Sequence, residues 1–494
     1  MSKSLCERLL AARRVSVPLV AIETADPAAT IALFRGEAFA AVGSTATVLV
    51  SWDVINGFLP LNEAGRQALS QISEAEGVID PVAALIVAQQ LPAGSVLVFH
   101  NAHRFMDGVP VVQGVWNLRD KYKSNFRMLV LLAPVWKLPV ELQADVVVVD
   151  HPLPSAEEIS AQVAKIVKAA KLGGGVPDGA VDALRGLTAF QAEQQAAMAA
   201  RKTGFDVDDL WESKRKLVEQ TPGLSIEGGS SGFDSIGGVP VVKSFIKSVL
   251  TGNRKPKAIV FIDEIEKALA GVGGDTSGVS QDQLGALLSY MQDNRSTGCL
   301  FIGPPGAAKS VVAKAAGAEC GIPTVKLDLG ATKGGLVGQS EEQLRKALKT
   351  ISAVSDGNAL WIATCNSIGV LPPELRRRFT LGTFFFDLPD AEERKAIWEI
   401  YRKRYSLKGA LPEDAGWTGA EIERACDIAD RLGVSLKEAA NFIVPVSRAA
   451  ADQINALRAS ASGKFLSASH PGVFVAAQSF QPDSLREGAR QIAV

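Results

Sequence analysis

A glycine-rich loop follows an apolar run and precedes a helical segment in the second half of the sequence. In a loop of this kind, backbone N–H groups and the dipole of the following helix hold phosphate groups. The Lys309 ammonium would contact the β- and γ-phosphates, and the Ser310 hydroxyl would be a ligand of Mg²⁺. The sequence therefore predicts a site for a nucleoside triphosphate with Mg²⁺. Its loop residues are Gly303, Pro304, Pro305, Gly306, Ala307, Ala308, Lys309, Ser310 and Val311.

Polar side chains end two other apolar runs. The run 257–262 is followed by Asp263 and Glu264, and the run 360–364 ends just before Asn366. Asp263 would hold Mg²⁺ through water, Glu264 would polarise the attacking water, and the Asn366 amide would face the γ-phosphate. Acids that only cap the next helix, and an ordinary asparagine turn, are the alternatives. The nearby phosphate loop favours the catalytic interpretation.

The elements that must position these residues alternate between strand-like and helical segments. The strand-like runs are almost continuously apolar, which suits parallel sheets covered on both faces by helices. They fall into two sets, and helix-rich sequence follows each set. The predicted strands are 19–22, 46–51, 95–99, 128–132, 146–149, 258–262, 299–302, 324–327, 360–364 and 383–386.

This layout predicts an α/β fold with two P-loop-like, three-layer modules, each with a parallel sheet and a helical lid after it. A stretch rich in proline and glycine predicts a linker between the modules. The predicted boundaries are 1–155 for the first α/β domain, 156–222 for its lid, 223–232 for the linker, 233–390 for the second α/β domain, 391–460 for its lid and 461–494 for a loose tail.

Composition excludes several classes of protein. The chain has 494 residues, with 52 basic and 53 acidic side chains, which argues against a globally basic nucleic-acid coat. No apolar run approaches the roughly 18 residues of a membrane span, so we predict a cytoplasmic protein without a membrane partner. The cysteines form no CxxC pair, which is typical of a reducing compartment and argues against a zinc finger. They are Cys6, Cys299, Cys320, Cys365 and Cys426.

The phosphate loop and the polar strand ends resemble the motifs of AAA+ ATPases, which implies that the nucleotide is ATP. Residues 232–238 resemble the segment of that family that contacts adenine, so Gly237 is a predicted binding residue. Residues 416–422 resemble the sensor 2 region of the lid. Here Gly419 and Ala420 form a variant of that region that lacks its arginine.

Two further segments resemble family regions that act outside the nucleotide pocket of their own subunit. Residues 371–379 resemble the arginine-finger segment, in which Arg376 and Arg378 would stabilise charge on the nucleotide of a neighbouring subunit. This implies a ring of identical subunits, typically a hexamer. Residues 336–341 resemble pore loop 1, with Leu336 at the usual aromatic position. The smaller leucine predicts a weaker grip on a threaded polypeptide.

Within AAA+, the chain resembles the chloroplast-reading-frame (Ycf) type, in which a degenerate N-terminal AAA-like module precedes an active one. No phosphate-loop motif occurs before residue 300, and 96–105 lacks the acids expected at that position. We therefore expect no hydrolysis in the first module. His100 and His103 suggest a metal site, but no third or fourth ligand is evident, so a structural pair is favoured.

Two features depart from the family pattern. Ala308 stands where glycine usually precedes the lysine, and a helical φ there would accommodate it. The Asp-Glu strand comes before the phosphate loop rather than after it. Moving roughly 257–298 to follow Gly357 would restore the family order. Because the family's sensor 1 strand lies between the other two, the strand ends need only be adjacent in the sheet. We predict a retained site with altered connectivity; a misfolded module and a reshuffled sequence are the alternatives.

The resemblance implies an ATP hydrolase that forms a ring and remodels or regulates a protein partner. The leucine in the pore loop favours remodelling or regulation over processive unfolding. An alternative from another class is a nucleotide-gated scaffold that assembles with little or no turnover. A nucleic-acid translocase is a weaker alternative, because the charge of the chain is balanced.

Overall fold

The computed structural model describes residues 4–39, 47–173, 175–201, 204–227, 231–269, 279–332, 339–367, 369 and 371–476. The chain divides into two compact units, Met1–Phe205 and Asp206–Val494. The predicted pore-loop residue Leu336 lies outside the described residues. No helix in the described ranges combines the length and apolar composition that a membrane crossing requires.

The first unit is built around a six-stranded sheet with helices on both faces. Its strands are β1 (Leu19–Glu23), β2 (Leu49–Asp53), β3 (Gly57–Pro60), β4 (Val96–Phe99), β5 (Met128–Ala133) and β6 (Val147–Asp150), with a hairpin of β7 (Ala200–Arg201) and β8 (Gly204–Phe205) at its end. Its α-helices are α1 (Leu5–Arg14), α2 (Pro27–Leu33), α3 (Glu63–Ser70), α4 (Pro81–Val87), α5 (Val109–Ser124), α6 (Ala156–Ala169), α7 (Ala180–Leu184) and α8 (Ala189–Ala199).

The strand order across this sheet is β3-β2-β4-β5-β1-β6. Only β3 runs antiparallel to its neighbour. Successive residues of β1 enter different cores, Leu19 and Ala21 on one face and Val20 and Ile22 on the other. Burial on both faces explains why this strand is continuously apolar.

The second unit has a seven-stranded sheet. Its strands are β9 (Leu224–Glu227), β10 (Ala258–Ile262), β11 (Thr297–Ile302), β12 (Thr324–Leu327), β13 (Ala359–Cys365), β14 (Gly382–Phe385) and β15 (Leu466–Ser467). Its α-helices are α9 (Val207–Glu219), α10 (Pro240–Thr251), α11 (Ile265–Leu269), α12 (Val279–Asp293), α13 (Lys309–Cys320), α14 (Gln339–Ser355), α15 (Pro373–Arg376), α16 (Ala391–Arg404), α17 (Gly419–Leu432), α18 (Leu436–Ala440), α19 (Val446–Ala449) and α20 (Ala451–Ala461).

The strand order of the second sheet is β15-β14-β11-β13-β10-β12-β9, and only β9 is antiparallel. The phosphate-loop strand β11 and the Asp-Glu strand β10 therefore flank β13, as predicted. The same spatial order occurs in the first unit, where β6, β1, β5, β4 and β2 correspond to β14, β11, β13, β10 and β12. In the first unit, however, β1 is the equivalent of the phosphate-loop strand β11. It comes before β4, the equivalent of the Asp-Glu strand, in the chain. The two units thus share one sheet with two connectivities, which confirms the predicted fold class and the transposed segment.

Each of the ten predicted strands has a counterpart within a few residues, but other parts of the second unit differ from the sequence-based prediction. Helix α9, expected in the first lid, belongs to the second unit, and Val218 of this helix is in the core of that unit. The predicted linker contains β9, which pairs with β12. Part of the predicted tail is ordered: β15 pairs with β14, and the Phe474 ring packs 4.3 Å from that of Phe385. Short edge strands carry too little periodicity to stand out from a glycine-rich sequence.

The transposition predicts that the restored chain order would fold to the same sheet. The Lys257 N–H donates to the Asn358 carbonyl (2.8 Å), and Asn358 Nδ2 donates to the Lys255 carbonyl (2.9 Å), so the cut and insertion points are neighbours. A full-length chain with residues 257–296 moved to follow Gly357 keeps β11 (Thr297–Ile302) whole. It should unfold in urea within about 2 kcal/mol of the original, because the paired strands are kept and only the connecting loops change. Circular dichroism measures this. Loss of cooperative unfolding in the rearranged chain would contradict the expectation.

Candidate nucleotide site

The phosphate loop connects β11 to α13. At two glycines its backbone passes so close to neighbouring residues that a side chain would not fit. A Cβ on Gly303 would lie 2.1 Å from the Phe386 carbonyl oxygen, at the end of β14. Gly306 has a φ of +78°, and a Cβ there would lie 2.9 Å from Thr418 Oγ1, the capping residue of α17. The loop therefore lies against both the sheet and the lid.

Ala308 lacks the conformation that would accommodate alanine without strain. It has a φ of +64°, in the left-handed region that favours glycine, and not a helical φ. The Cβ of an L-residue in this region meets backbone atoms, which costs roughly 1–2 kcal/mol. The substitution of glycine by alanine before Lys309 thus places strain in the loop.

The Lys309 side chain is buried, with 6% of its surface exposed. Its ammonium donates to the carbonyl oxygens of Gly303 (2.8 Å) and Pro304 (2.7 Å). Burial lowers the pKa of Lys309 to about 8, and the carboxylates of Glu266 and Asp263 offset part of this shift. Anionic phosphates beside the ammonium would favour its charged form.

Asp263 joins the three strand ends. Its Oδ1 atom accepts hydrogen bonds from the Ser310 hydroxyl (2.6 Å) and the Thr364 hydroxyl (2.7 Å). Register explains this meeting, because Ile262 of β10 is paired with Ala363 of β13. The serine of the phosphate loop and the first acid therefore converge although they come from transposed stretches. Their oxygen atoms are the donors that Mg²⁺ prefers, so the residues present fit that ion.

Glu264 occupies a strained backbone position beside this cluster. Its φ is +47°, and its N–H donates to Thr364 Oγ1 (2.9 Å). Its carboxylate is paired with Lys267 in the next turn and accepts a hydrogen bond from Asn366 Nδ2 (3.1 Å). The second acid and the predicted sensor amide are thus in direct contact.

A cavity of about 230 Å³ lies between the loop, residues 235–239, α16 and the start of α17. Gly237 is one of its walls because its backbone passes close to α16, where a Cβ would lie 2.7 Å from the Ile397 nitrogen. Gly303, Pro304 and Asp263 are beside the cavity but not in its wall. The predicted residues in the wall are Gly237, Glu264, Pro305, Gly306, Ala307, Ala308, Lys309, Ser310, Val311, Asn366, Gly419 and Ala420.

Arg376 and Arg378 do not line this cavity within the described part of the chain. Arg378 donates to Gln292 Oε1 of α12 (2.7 Å), and Arg377 between them is exposed. The structure therefore brings neither predicted arginine to the nucleotide pocket of its own chain.

Several residues around the site have no strong signal in the sequence. Thr364 lies inside the buried strand β13. Its hydroxyl donates to Asp263 Oδ1 and accepts the Glu264 N–H. Glu266 contacts Asn366, and Glu393 accepts the Val239 N–H (2.8 Å). Tyr401 donates to Glu423 (3.1 Å), and burial raises its pKa to about 12. Among these residues, only Glu266 could have been suspected from the sequence, because it lies two residues after Glu264.

His100 and His103 lie in the first unit, where the sequence suggests a metal site or a structural pair. His100 is half-buried, and burial lowers its pKa, as it does that of His103. No group of three or more His, Cys, Asp or Glu side chains that could hold a metal ion occurs among the described residues.

The left-handed Ala308 predicts that glycine at this position stabilises the protein. Ala308→Gly should raise the free energy of unfolding by about 1 kcal/mol, since relief of the Cβ contact exceeds the entropy cost of glycine. Urea denaturation of the full chain measures it. Ala307→Gly, at a neighbouring buried residue without a positive φ, is the matched control and should destabilise by about 1 kcal/mol. A destabilised Ala308→Gly variant would show that the strain assignment is wrong.

Each unit contains a segment that matches a family of AAA ATPases. Residues 2–151 match the SpoVK-like AAA ATPase N-terminal domain, and residues 299–357 match the ATPase family associated with various cellular activities (AAA). The second match starts in the phosphate-loop strand and ends at Gly357, where the transposed segment would be inserted to restore the family order. A linear match stops there because the Asp-Glu strand lies elsewhere in the chain.

Related proteins extend the similarity over most of the chain. The uncharacterized AAA domain-containing protein ycf46 of Gracilaria tenuistipitata var. liui is 24% identical over 433 residues, covering 76% of this chain and 80% of the relative. The ycf46 protein of Guillardia theta is 23% identical and covers 81% of each chain. ATPase family AAA domain-containing protein 2B of Homo sapiens is 30% identical over 183 residues, covering 26% of this chain and 12% of that protein. These matches, with the sheet order and the phosphate loop, support an AAA ATPase of the Ycf46 type, to which this chain is similar over most of its length.

Proposed function

We propose that the second unit binds ATP with Mg²⁺ and hydrolyses it to remodel or regulate a protein partner. The convergence of polar strand ends carries this proposal. Asp263 bonds to Ser310, Glu264 bonds to Asn366, and Thr364 bonds to both acids. These residues therefore form one hydrogen-bonded cluster beside the Lys309 cavity, although the chain order is transposed. Retention of these contacts despite the transposed order is what a functional site would require.

Each residue has a role in this proposal that follows from its chemistry. The Lys309 ammonium neutralises charge on the phosphates, and the Ser310 hydroxyl and Asp263 hold Mg²⁺. The bound ion supplies positive charge to the phosphate oxygens. The Glu264 carboxylate accepts a proton from the attacking water. The Asn366 amide, whose Nδ2 atom donates to Glu264, holds that carboxylate in place.

The two arginines act in trans in this proposal. Arg376 and Arg378 are outside the cavity of their own chain, and a guanidinium beside the phosphates would stabilise the transition state. A neighbouring copy in a ring, which we propose to be a hexamer, would bring them to the site. A cytoplasmic location and a protein partner remain parts of the proposal.

A nucleotide-gated scaffold is the second candidate, and one contact favours it. The Oε2 atom of Glu264 is ion-paired with Lys267, so it is less available to accept a proton from water than the oxygen of a free carboxylate would be. If this pairing persists with ATP bound, the nucleotide would drive assembly without turnover.

Glu264→Gln separates these functions. The variant should bind ATP as tightly as the original but hydrolyse it at least 10²-fold more slowly, because the amide cannot accept the proton. Phosphate release at saturating Mg-ATP measures turnover, and a fluorescent ATP analogue measures binding. Glu413→Gln, at an exposed carboxylate outside the cavity, is the matched control and should hydrolyse normally.

The outcomes distinguish the two candidates. Equal turnover in Glu264→Gln and the original chain would refute the role of Glu264. An original chain that assembles with ATP but releases no phosphate would favour the scaffold.

A further inference from the structure

A third carboxylate lies beside the two acids that end β10. Glu266 Oε1 accepts one hydrogen bond from the backbone N–H of Asn366 (3.0 Å) and another from Asn366 Nδ2 (2.9 Å). Glu266 is only half-exposed, and Asn366 is the first residue after β13. This carboxylate therefore holds both the backbone and the amide of the predicted sensor residue.

The amide of Asn366 can adopt only one orientation in this arrangement. Its Nδ2 atom donates to Glu264 Oε1 (3.1 Å) as well as to Glu266 Oε1. An ionised carboxylate only accepts hydrogen bonds, so the amide nitrogen and not its oxygen must face the two acids. Glu266 thereby fixes the group that contacts Glu264.

We propose that Glu266 is a positioning residue that acts on Glu264 through the Asn366 amide. Without Glu266 the amide loses the partners that fix its rotation, and the contact with Glu264 becomes one of several arrangements. This inference rests on the proposed hydrolysis, in which Glu264 is the base. Glu266 itself is not in the wall of the cavity, so it should affect turnover rather than nucleotide binding.

Glu266→Ala tests this role in the full-length chain. We expect kcat for Mg-ATP to fall about 10-fold or more, as expected for a displaced catalytic group, with the Kd of a non-hydrolysable ATP analogue within about twofold. Because Glu266 acts through Asn366, the double variant Glu266→Ala with Asn366→Ala should be no slower than Asn366→Ala alone. Glu266→Gln, which keeps an acceptor oxygen, should retain part of the activity.

Each result decides a separate point. An unchanged kcat in Glu266→Ala, or additive effects in the double variant, would overturn the positioning role. If the original chain shows no turnover, the proposed function fails, and the positioning role is then decided by hydrogen exchange. The backbone N–H of Asn366 should exchange at least tenfold faster in Glu266→Ala, because it loses its acceptor. Unchanged exchange would overturn the positioning role.

An independent feature lies in the first unit, where β1 and α2 correspond in position to β11 and α13. The Asp26 carboxylate caps two helices at once in this unit. Its Oδ1 atom accepts the Ala29 N–H of α2 (3.0 Å), and its Oδ2 atom accepts the Phe190 N–H of α8 (3.0 Å). Helix α8 begins at a Thr188 capping box, as α17 begins at a Thr418 capping box.

Other side chains form hydrogen bonds near Asp26 at the same edge of the sheet. The Thr30 hydroxyl lies 2.8 Å from that of Thr24 and 2.7 Å from His151 Nδ1. The Trp136 Nε1–H donates to the Ile22 carbonyl at the end of β1 (3.0 Å). In the second unit the starts of α13 and α17 instead face the open cavity.

We infer that Asp26 is a latch that holds α8 against the sheet domain of the first unit without any nucleotide. One carboxylate makes, in the first unit, the connection between sheet and lid for which the second unit has a cavity.

Hydrogen exchange with Asp26→Ala and Asp26→Asn tests the latch. The Phe190 backbone N–H should exchange at least tenfold faster in Asp26→Ala, which removes both acceptor oxygens. It should also exchange faster in Asp26→Asn, which leaves one acceptor oxygen for the two N–H groups of Ala29 and Phe190. The matched control is Asp53→Ala, which removes a carboxylate that accepts the N–H groups of Ile55 and Asn56 within one turn. That control should leave Phe190 unchanged.

Unchanged exchange at Phe190 in the Asp26 variants, or an equal increase in the Asp53 variant, would overturn the latch. Asp26→Asn keeps the size of the side chain, so it remains informative if the alanine variant does not fold.

Discussion

The alignment of three parallel strand ends is the constraint on which the site depends. Ile302 of β11 is paired with Cys365 of β13, and Ile262 of β10 with Ala363. The phosphate loop, the two acids and the sensor amide each begin directly after one of these strands. Hydrogen-bond register therefore sets their separation, and any chain order that preserves the three neighbours preserves the cluster. This is why a transposed segment leaves the contacts in place.

Close backbone packing then determines the shape of the cavity. Gly237 is against α16, and Gly306 is against the start of α17, at distances that admit no side chain. The phosphate loop and residues 235–239 therefore lie directly against the lid helices α17 and α16, and the cavity lies between these elements. Ala308 is the exception, because it has a left-handed φ without being glycine. The strain is stored in the residue next to Lys309, at the point where phosphates would bind.

The sequence predicts most of this arrangement because its strands are buried on both faces and so are continuously apolar. It fails where a structure depends on a partner rather than on a pattern. Strand β9 exists because β12 accepts it, and its glycine-rich surroundings suggest only a linker. The φ of Ala308 follows from the turn into α13, which composition does not encode. Glu266 is missed because an acid on the turn after β10 has the same sequence signature as an exposed helix cap, and only the strand order brings it to Asn366.

The two units satisfy the same polar groups in different ways. Helix starts and strand ends meet at one edge of each sheet, and buried N–H and C=O groups there need partners. In the first unit the Asp26 carboxylate, attached to the loop itself, is the partner. In the second unit Lys309 bonds to two carbonyls and Ser310 bonds to Asp263. In the proposed function, phosphate and Mg²⁺ would replace these contacts, whereas a carboxylate of the chain itself cannot leave. On this proposal, the two units differ in whether the anion at the start of the helix is a bound phosphate or a carboxylate of the chain.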